Sequence, residues 1–193
     1  MHLLTTLLLA HLFADFPLQF NSLAKLKKES LTGVFLHVLI YVAITAWTIE
    51  EPLTYWPLIV GLGIVHFLID ALKIRLPPTV ETFYFLIDQG LHFISIGIAT
   101  LAAFHVWATP PRSVVPNHVA MIALGCALVL ASMVFCWVWV NNLNEEHVQR
   151  HFVLRWVKQQ MLSLEQRIGL VLVGFVFAGP TYQWLATIFH SIK

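Results

Sequence analysis

The chain has 193 residues, of which 59% are hydrophobic and only 11% are Asp, Glu, Lys or Arg. An ordinary soluble domain is about 25% charged, so a water-soluble globule is excluded as the leading interpretation. The formal net charge of +1 provides no bulk basic field of the kind that binds nucleic acid, so no nucleic-acid partner is expected.

Long apolar stretches recur along the chain, each close to the roughly 20 residues that cross a bilayer as a helix. They predict an all-α, polytopic integral membrane bundle that forms a single transmembrane domain over residues 1–193. A basic linker, 21–30, joins the first two spans. The six predicted spans cover about 2–20, 31–49, 53–74, 82–107, 118–140 and 167–190.

The polar stretch before the last predicted span carries an apolar stripe. Between about 143 and 164, apolar residues recur at helical spacing opposite Arg and Lys. This pattern predicts an amphipathic helix in the cytoplasmic-side membrane interface, against anionic lipid. A helix packed beneath the bundle would produce the same pattern.

Basic residues are distributed unequally between the two sides of the predicted bundle. Nine of the 11 Lys and Arg residues lie in the first, third and fifth connections between spans. The positive-inside rule therefore predicts that these connections face the cytoplasm and that both termini face outward.

Three of the predicted spans carry a His and an Asp four residues apart, a spacing that places both side chains on one helical face. Because successive spans alternate in direction, each pair has its Asp nearer the cytoplasm and its His one turn deeper. An Asp at the centre of a span costs roughly 2.5–3.5 kcal/mol on insertion scales, so an organised set predicts a function. The pairs are His11 with Asp15, His66 with Asp70 and Asp88 with His92, and the second span adds His37.

These seven side chains suit metal binding, because imidazoles and carboxylates are the usual nitrogen and oxygen ligands of Zn²⁺, Mn²⁺ or Fe. One or two divalent ions are expected, Zn²⁺ or Mn²⁺ in particular. Asp15, Asp70 and Asp88 are also candidate catalytic residues, as bases for a metal-activated water. Two alternatives stay open: a proton or cation pathway, and polar pairs that hold the helices together.

Further polar side chains lie at or just cytoplasmic of the pairs. Lysines above a metal suit an anionic substrate such as a phosphate headgroup. The candidate substrate-binding residues are Gln19, Lys25, Lys73 and Gln89.

Several of these motifs resemble those of DUF3307, a family of bacterial membrane proteins. The resemblance covers about 11–92 and implies a small polytopic bacterial membrane protein, which with the charge distribution indicates the inner membrane; it implies no activity. The motifs are HLFADFPLQ at 11–19, then Lys25, Gly33 and His37, HFLID at 66–70 with Lys73, and Asp88-Gln89 with His92.

Together the patterns predict an intramembrane His/Asp site near the cytoplasmic face. We expect it to bind metal, in a membrane-embedded hydrolase of a lipid-linked or phosphate-bearing substrate. The alternatives are a proton- or cation-coupled transporter and a non-enzymatic membrane protein with structural His/Asp pairs. Membrane lipids are the expected partners, and the oligomeric state is left open.

Overall fold

The computed structural model describes the backbone of residues 2–75 and 81–191, with side chains up to Thr181. Within these ranges the chain is helical and forms no β-strand. The eight helices are α1 (His2–Asp15), α2 (Asn21–Glu29), α3 (Leu31–Thr48), α4 (Trp56–Lys73), α5 (Glu81–Val106), α6 (Asn117–Asn141), α7 (Glu145–Arg150) and α8 (Phe152–Ser191).

Among the residues that the structure describes, five stretches are long and apolar enough to cross a membrane: α3, α4, α5, α6 and Phe152–Thr181 of α8. Many of their large apolar side chains are exposed, as expected of surfaces in contact with lipid tails. The prediction of an all-α membrane bundle is confirmed.

Helix α1 is the centre of the bundle and packs against α3, α5 and α6. Most of its residues are buried. It ends at Asp15, earlier than the predicted 2–20, because Pro17 disfavours helical geometry at the residue before it. With 14 residues it is only about 21 Å long, and it is surrounded by longer helices instead of by lipid.

Residues predicted as a basic linker instead form α2, which is fixed against α3 by a tight corner. The Oγ of Ser30 accepts a hydrogen bond from the Gly33 N–H (3.1 Å) and donates one to the Leu26 carbonyl (3.1 Å). A Cβ atom on Gly33 would lie 2.3 Å from the Leu26 carbonyl group, so only glycine permits this approach. The corner sets where the side chains of α2 point.

The predicted amphipathic segment at 143–164 does not form a helix of its own. Its first part is the short helix α7, and its remainder continues without a break into the last predicted span as α8, which has 40 residues. No Gly or Pro occurs between 152 and 168, and helix-forming residues dominate this stretch. Val148 and Val157 pack with Val140 of α6. Its position at a membrane interface stays a prediction.

The end of the bundle away from α2 is closed by two connections that pair through their backbones. The Glu50 N–H donates to the Arg112 carbonyl (2.9 Å), and the Val114 N–H donates to the Thr48 carbonyl (3.0 Å). A buried apolar core fills the bundle between this end and the polar residues near α2.

Candidate metal centre

Four helices bring the seven predicted His and Asp side chains into one cluster near the α2 end of the bundle. Every one of them is buried, with at most 7% of its surface exposed. Helix α1 contributes His11 and Asp15, α3 contributes His37, α4 contributes His66 and Asp70, and α5 contributes Asp88 and His92.

Three of these residues converge through single ligand atoms. The Oδ1 of Asp15 lies 3.0 Å from the Nε2 of His37 and 3.3 Å from the Nε2 of His66. The two Nε2 atoms are 3.0 Å apart. Ligands about 2.0–2.2 Å from a tetrahedral ion are roughly 3.3 Å from one another. The three atoms therefore have nearly the spacing that a single divalent ion requires.

Two further groups in the cluster could hold a cation, and both overlap the first. One combines His11, His66 and His92, and the other combines Asp15, Asp88 and His92, with ligand atoms in each group within 4.8 Å of one another. Because Asp15 and His66 are shared, these groups are adjacent or alternative positions in one centre. The cluster can accommodate one ion, or two if Asp15 bridges them.

Two lysines contact the two carboxylates that are not in the Asp15, His37 and His66 group. The Nζ of Lys27 lies 2.8 Å from Asp70 Oδ2, and the Nζ of Lys73 lies 2.7 Å from Asp88 Oδ2. Burial disfavours the charged form of Lys27, but the carboxylates of Asp15, Asp70 and Asp88 outweigh this effect and raise its pKa. Lys27 is therefore an ammonium at neutral pH.

The lysine of α2 that reaches the cluster is Lys27, which is not among the residues predicted from the sequence. The predicted Lys25 is exposed on the same helix. Helical spacing carries the signal that could have identified it. Leu23 and Lys27 are one turn apart, and both are partly buried against the bundle. Because residues 21–30 were predicted to be a linker, this helical spacing was not used.

The two predicted glutamines are held within the cluster. Gln89 donates from Nε2 to Asp15 Oδ2 (3.0 Å), and its Oε1 accepts from His11 Nε2 (3.2 Å). Asp15 is thereby turned so that its other oxygen faces His37 and His66. Gln19 accepts a longer hydrogen bond from Lys27 (3.4 Å). In this structure both amides orient neighbouring groups.

A family comparison covers all of these residues. The model of the family described as Protein of unknown function (DUF3307) matches residues 3–121. The chain belongs to the DUF3307 family. The match includes α1 to α5 and the start of α6, and so contains the whole cluster together with Lys27 and Lys73. No curated protein and no solved structure matches the chain.

The DUF3307 cluster contains buried polar atoms without a hydrogen-bond partner. In a folded protein such atoms are rare, and they commonly mark a place that an ion or a water completes. They occur on four helices, α1, α3, α4 and α5. The atoms are His11 Nδ1, His37 Nδ1, Asp70 Oδ1, Asp88 Oδ1 and His92 Nε2.

Proposed function

We propose that this DUF3307 protein is a membrane-embedded, metal-dependent hydrolase whose Asp15, His37 and His66 bind a divalent ion, Zn²⁺ or Mn²⁺. The observation that carries the proposal is the mutual spacing of 3.0–3.3 Å among one oxygen and two nitrogens of these residues. Two imidazoles and one carboxylate leave a coordination position open, as in catalytic zinc sites.

A divalent ion at this position would make a bound water acidic enough to act as a nucleophile at neutral pH. In this proposal Asp88 would take the proton of that water. Its Oδ1 is buried and has no hydrogen-bond partner, and an oxygen of Asp88 lies within 4.8 Å of a ligand atom of Asp15. As the water oxygen bonds to the substrate, the bond to the leaving group breaks, and the proton on Asp88 passes to the leaving group.

The interior beyond the cluster favours hydrolysis over transport. A transported proton or ion would need polar groups that continue toward the opposite end. The described bundle there contains buried apolar side chains, among them Leu7, Ile44, Leu58 and Ile96. Buried threonines such as Thr45 and Thr100 also lie there, but their hydroxyls donate to backbone carbonyls of their own helices. This described core therefore offers no charged partner, and the passage of a charge through it is costly. The cluster is therefore better suited to act from one side, which we propose is the cytoplasmic side.

The unpaired atoms in the cluster favour metal binding over a purely structural role. If the His and Asp residues served only to hold helices together, their polar atoms would be expected to satisfy one another. Asp15 does so with His37, but Asp88 Oδ1 and His92 Nε2 approach only to 3.6 Å, an ion-pair distance at which neither atom has a hydrogen-bond partner. An ion would supply a partner for such atoms.

The first test is the metal content of detergent-purified protein without a His tag, measured by elemental mass spectrometry after incubation with Zn²⁺ or Mn²⁺ and removal of the free ion. We expect bound metal in the parent and its loss in a His37→Ala, His66→Ala double variant. His105→Ala is the matched control, because this histidine is exposed near the other end of α5. Metal-free parent protein, or full occupancy in the double variant, would contradict the proposal.

The second test is turnover. Metal-loaded protein is incubated with lipid-linked and phosphate-bearing esters, and product release is measured with and without a chelator. We expect turnover that the chelator stops and that Asp88→Asn lowers by a factor of about 10²–10⁴, the range for loss of a general base. Binding of metal in Asp88→Asn is the control for folding.

A further inference from the structure

Two ammonium groups contact the His/Asp cluster from different helices. Lys27 comes from α2 and Lys73 from the last turn of α4. Each contacts a carboxylate of the cluster, Asp70 and Asp88 respectively, at 2.8 Å and 2.7 Å. Both lysines lie on the side of the cluster that α2 borders, whereas the opposite side is the apolar core.

Lys27 is held in place by the fold and does not lie free at the surface. Its side chain is only 12% exposed, whereas the side chain of Lys28, the next residue, is 68% exposed. The corner between α2 and α3 at Gly33 determines this difference, because it presses the backbone of α2 directly onto α3. An ammonium placed in this way is part of a built site.

The charges of the cluster change sign when a divalent ion binds. The three Asp residues and the two lysines alone have a net charge of −1, and the His37 and His66 imidazoles are neutral when they bind metal. A divalent ion changes this to +1. A buried site with excess positive charge favours an anion, and phosphate offers oxygens to two ammonium groups and an ion at once.

We propose that Lys27 and Lys73 bind the phosphate group of the substrate, and that the reaction is the hydrolysis of a phosphate monoester. This inference rests on the proposed metal-dependent function. The water oxygen bonds to phosphorus and one of its protons goes to Asp88. The bond between phosphorus and the ester oxygen of the alcohol breaks. The leaving oxygen takes the proton from Asp88, which gives an alcohol and inorganic phosphate.

The test measures Mn²⁺ affinity with and without inorganic phosphate, with free Mn²⁺ determined by electron paramagnetic resonance. Coupling between two ligands is reciprocal, so a phosphate that binds beside the ion increases the affinity of the protein for the ion. We expect phosphate to tighten Mn²⁺ binding at least about fivefold in the parent. A Lys27→Gln, Lys73→Gln double variant should bind Mn²⁺ and lose this effect, while the matched control Lys28→Gln retains it.

Two further arms separate the possible sources of the phosphate. Short-chain phosphatidic acid, a lipid monoester, replaces inorganic phosphate, with short-chain phosphatidylcholine, a diester, as the control. If phosphatidic acid increases the Mn²⁺ affinity more than inorganic phosphate does, the site is assigned to a lipid headgroup. If the two increase it equally, the site is assigned to a soluble phosphate. If the double variant fails to fold, Lys73→Gln alone gives the same readout, because its side chain is the more exposed.

The outcomes distinguish this inference from the function on which it rests. Mn²⁺ binding that neither phosphate nor phosphatidic acid tightens would overturn the phosphate site and leave the metal centre intact. Full retention of the effect in the double variant would overturn the assignment to the lysines. A parent protein that binds neither Mn²⁺ nor Zn²⁺ would overturn both proposals.

Discussion

The ammonium of Lys27 lies 2.8 Å from a carboxylate oxygen of Asp70, so the short helix α2 contributes a charge to a site formed by membrane-spanning helices. Asp70 is 1% exposed. A carboxylate buried to this degree is costly without a partner, which makes Lys27 important for stability as well as for binding.

Replacing Lys27 should therefore destabilise the protein. We expect Lys27→Met to lower the free energy of unfolding by about 3 kcal/mol, because it removes the ammonium partner of the buried Asp70 carboxylate and leaves only imidazoles such as His66 near it. Lys28→Met should cost less than about 1 kcal/mol, because its pair with Glu81 is exposed. Reversible unfolding in mixed micelles measures both. Adding Asp70→Asn to Lys27→Met should restore part of the loss; no restoration would argue against the pair.

The stabilising effect of Lys27 should persist throughout the neutral range. The pKa of Lys27 is raised by the surrounding carboxylates, so the folded state holds this proton more tightly than the unfolded state does. The contribution is fully present below the unfolded pKa of about 10.4 and is lost only as the pH rises through the higher folded pKa. The difference in stability between parent and Lys27→Met should be constant from pH 6 to pH 9, and a steep decline within that range would contradict the expectation.

Adding a methyl group at Gly33 should disturb the position of α2. The Cβ of Gly33→Ala would lie 2.3 Å from backbone atoms of Leu26, which cannot move without shifting the helix. We expect a loss of stability of about 1–3 kcal/mol, the range for overpacking. The phosphate effect on Mn²⁺ affinity should also weaken. Gly61→Ala in α4 is the control, since nothing lies within 4 Å of its Cβ, and it should leave the melting temperature unchanged or raise it.

Gln89 should support the metal ligand that it orients. Gln89→Leu removes the hydrogen bond to Asp15 Oδ2 and the acceptor for His11. Loss of such supporting contacts typically weakens metal affinity 10–100-fold, and we expect this range. Competition with a chromogenic chelator measures it. Gln159→Leu, on an exposed position of α8, should leave the affinity unchanged.

A bound ion should stabilise the fold because it joins three helices. At a free concentration about 100 times its Kd, an ion that binds only the folded state adds about 2.7 kcal/mol. We expect Zn²⁺ or Mn²⁺ to raise the melting temperature of the parent and a chelator to reverse the effect. The His37→Ala, His66→Ala variant should show no shift. An equal shift in that variant would indicate that the ion binds elsewhere.

Periodicity along the chain was sufficient to predict the membrane bundle and the His/Asp pairs, because both depend on local spacing. The i, i+4 spacing of His66 and Asp70 needs no knowledge of tertiary packing. The convergence of Asp15 with His37 and His66 depends on how three helices pack, and the sequence indicated only that these residues share a depth. Lys27 was missed because residues 21–30 were predicted to be a linker, so the one-turn spacing of Leu23 and Lys27 on a nine-residue helix was not used.

The burial of α1 has a consequence for biogenesis. This helix precedes α3, α4 and α5 in the chain, so it leaves the ribosome before the residues that pair with His11 and Asp15 do. It is too short to span a bilayer readily and carries a charge that isolated insertion penalises. Its final position among the other helices is therefore reached only after they have entered the membrane, and the polar centre is assembled late in folding.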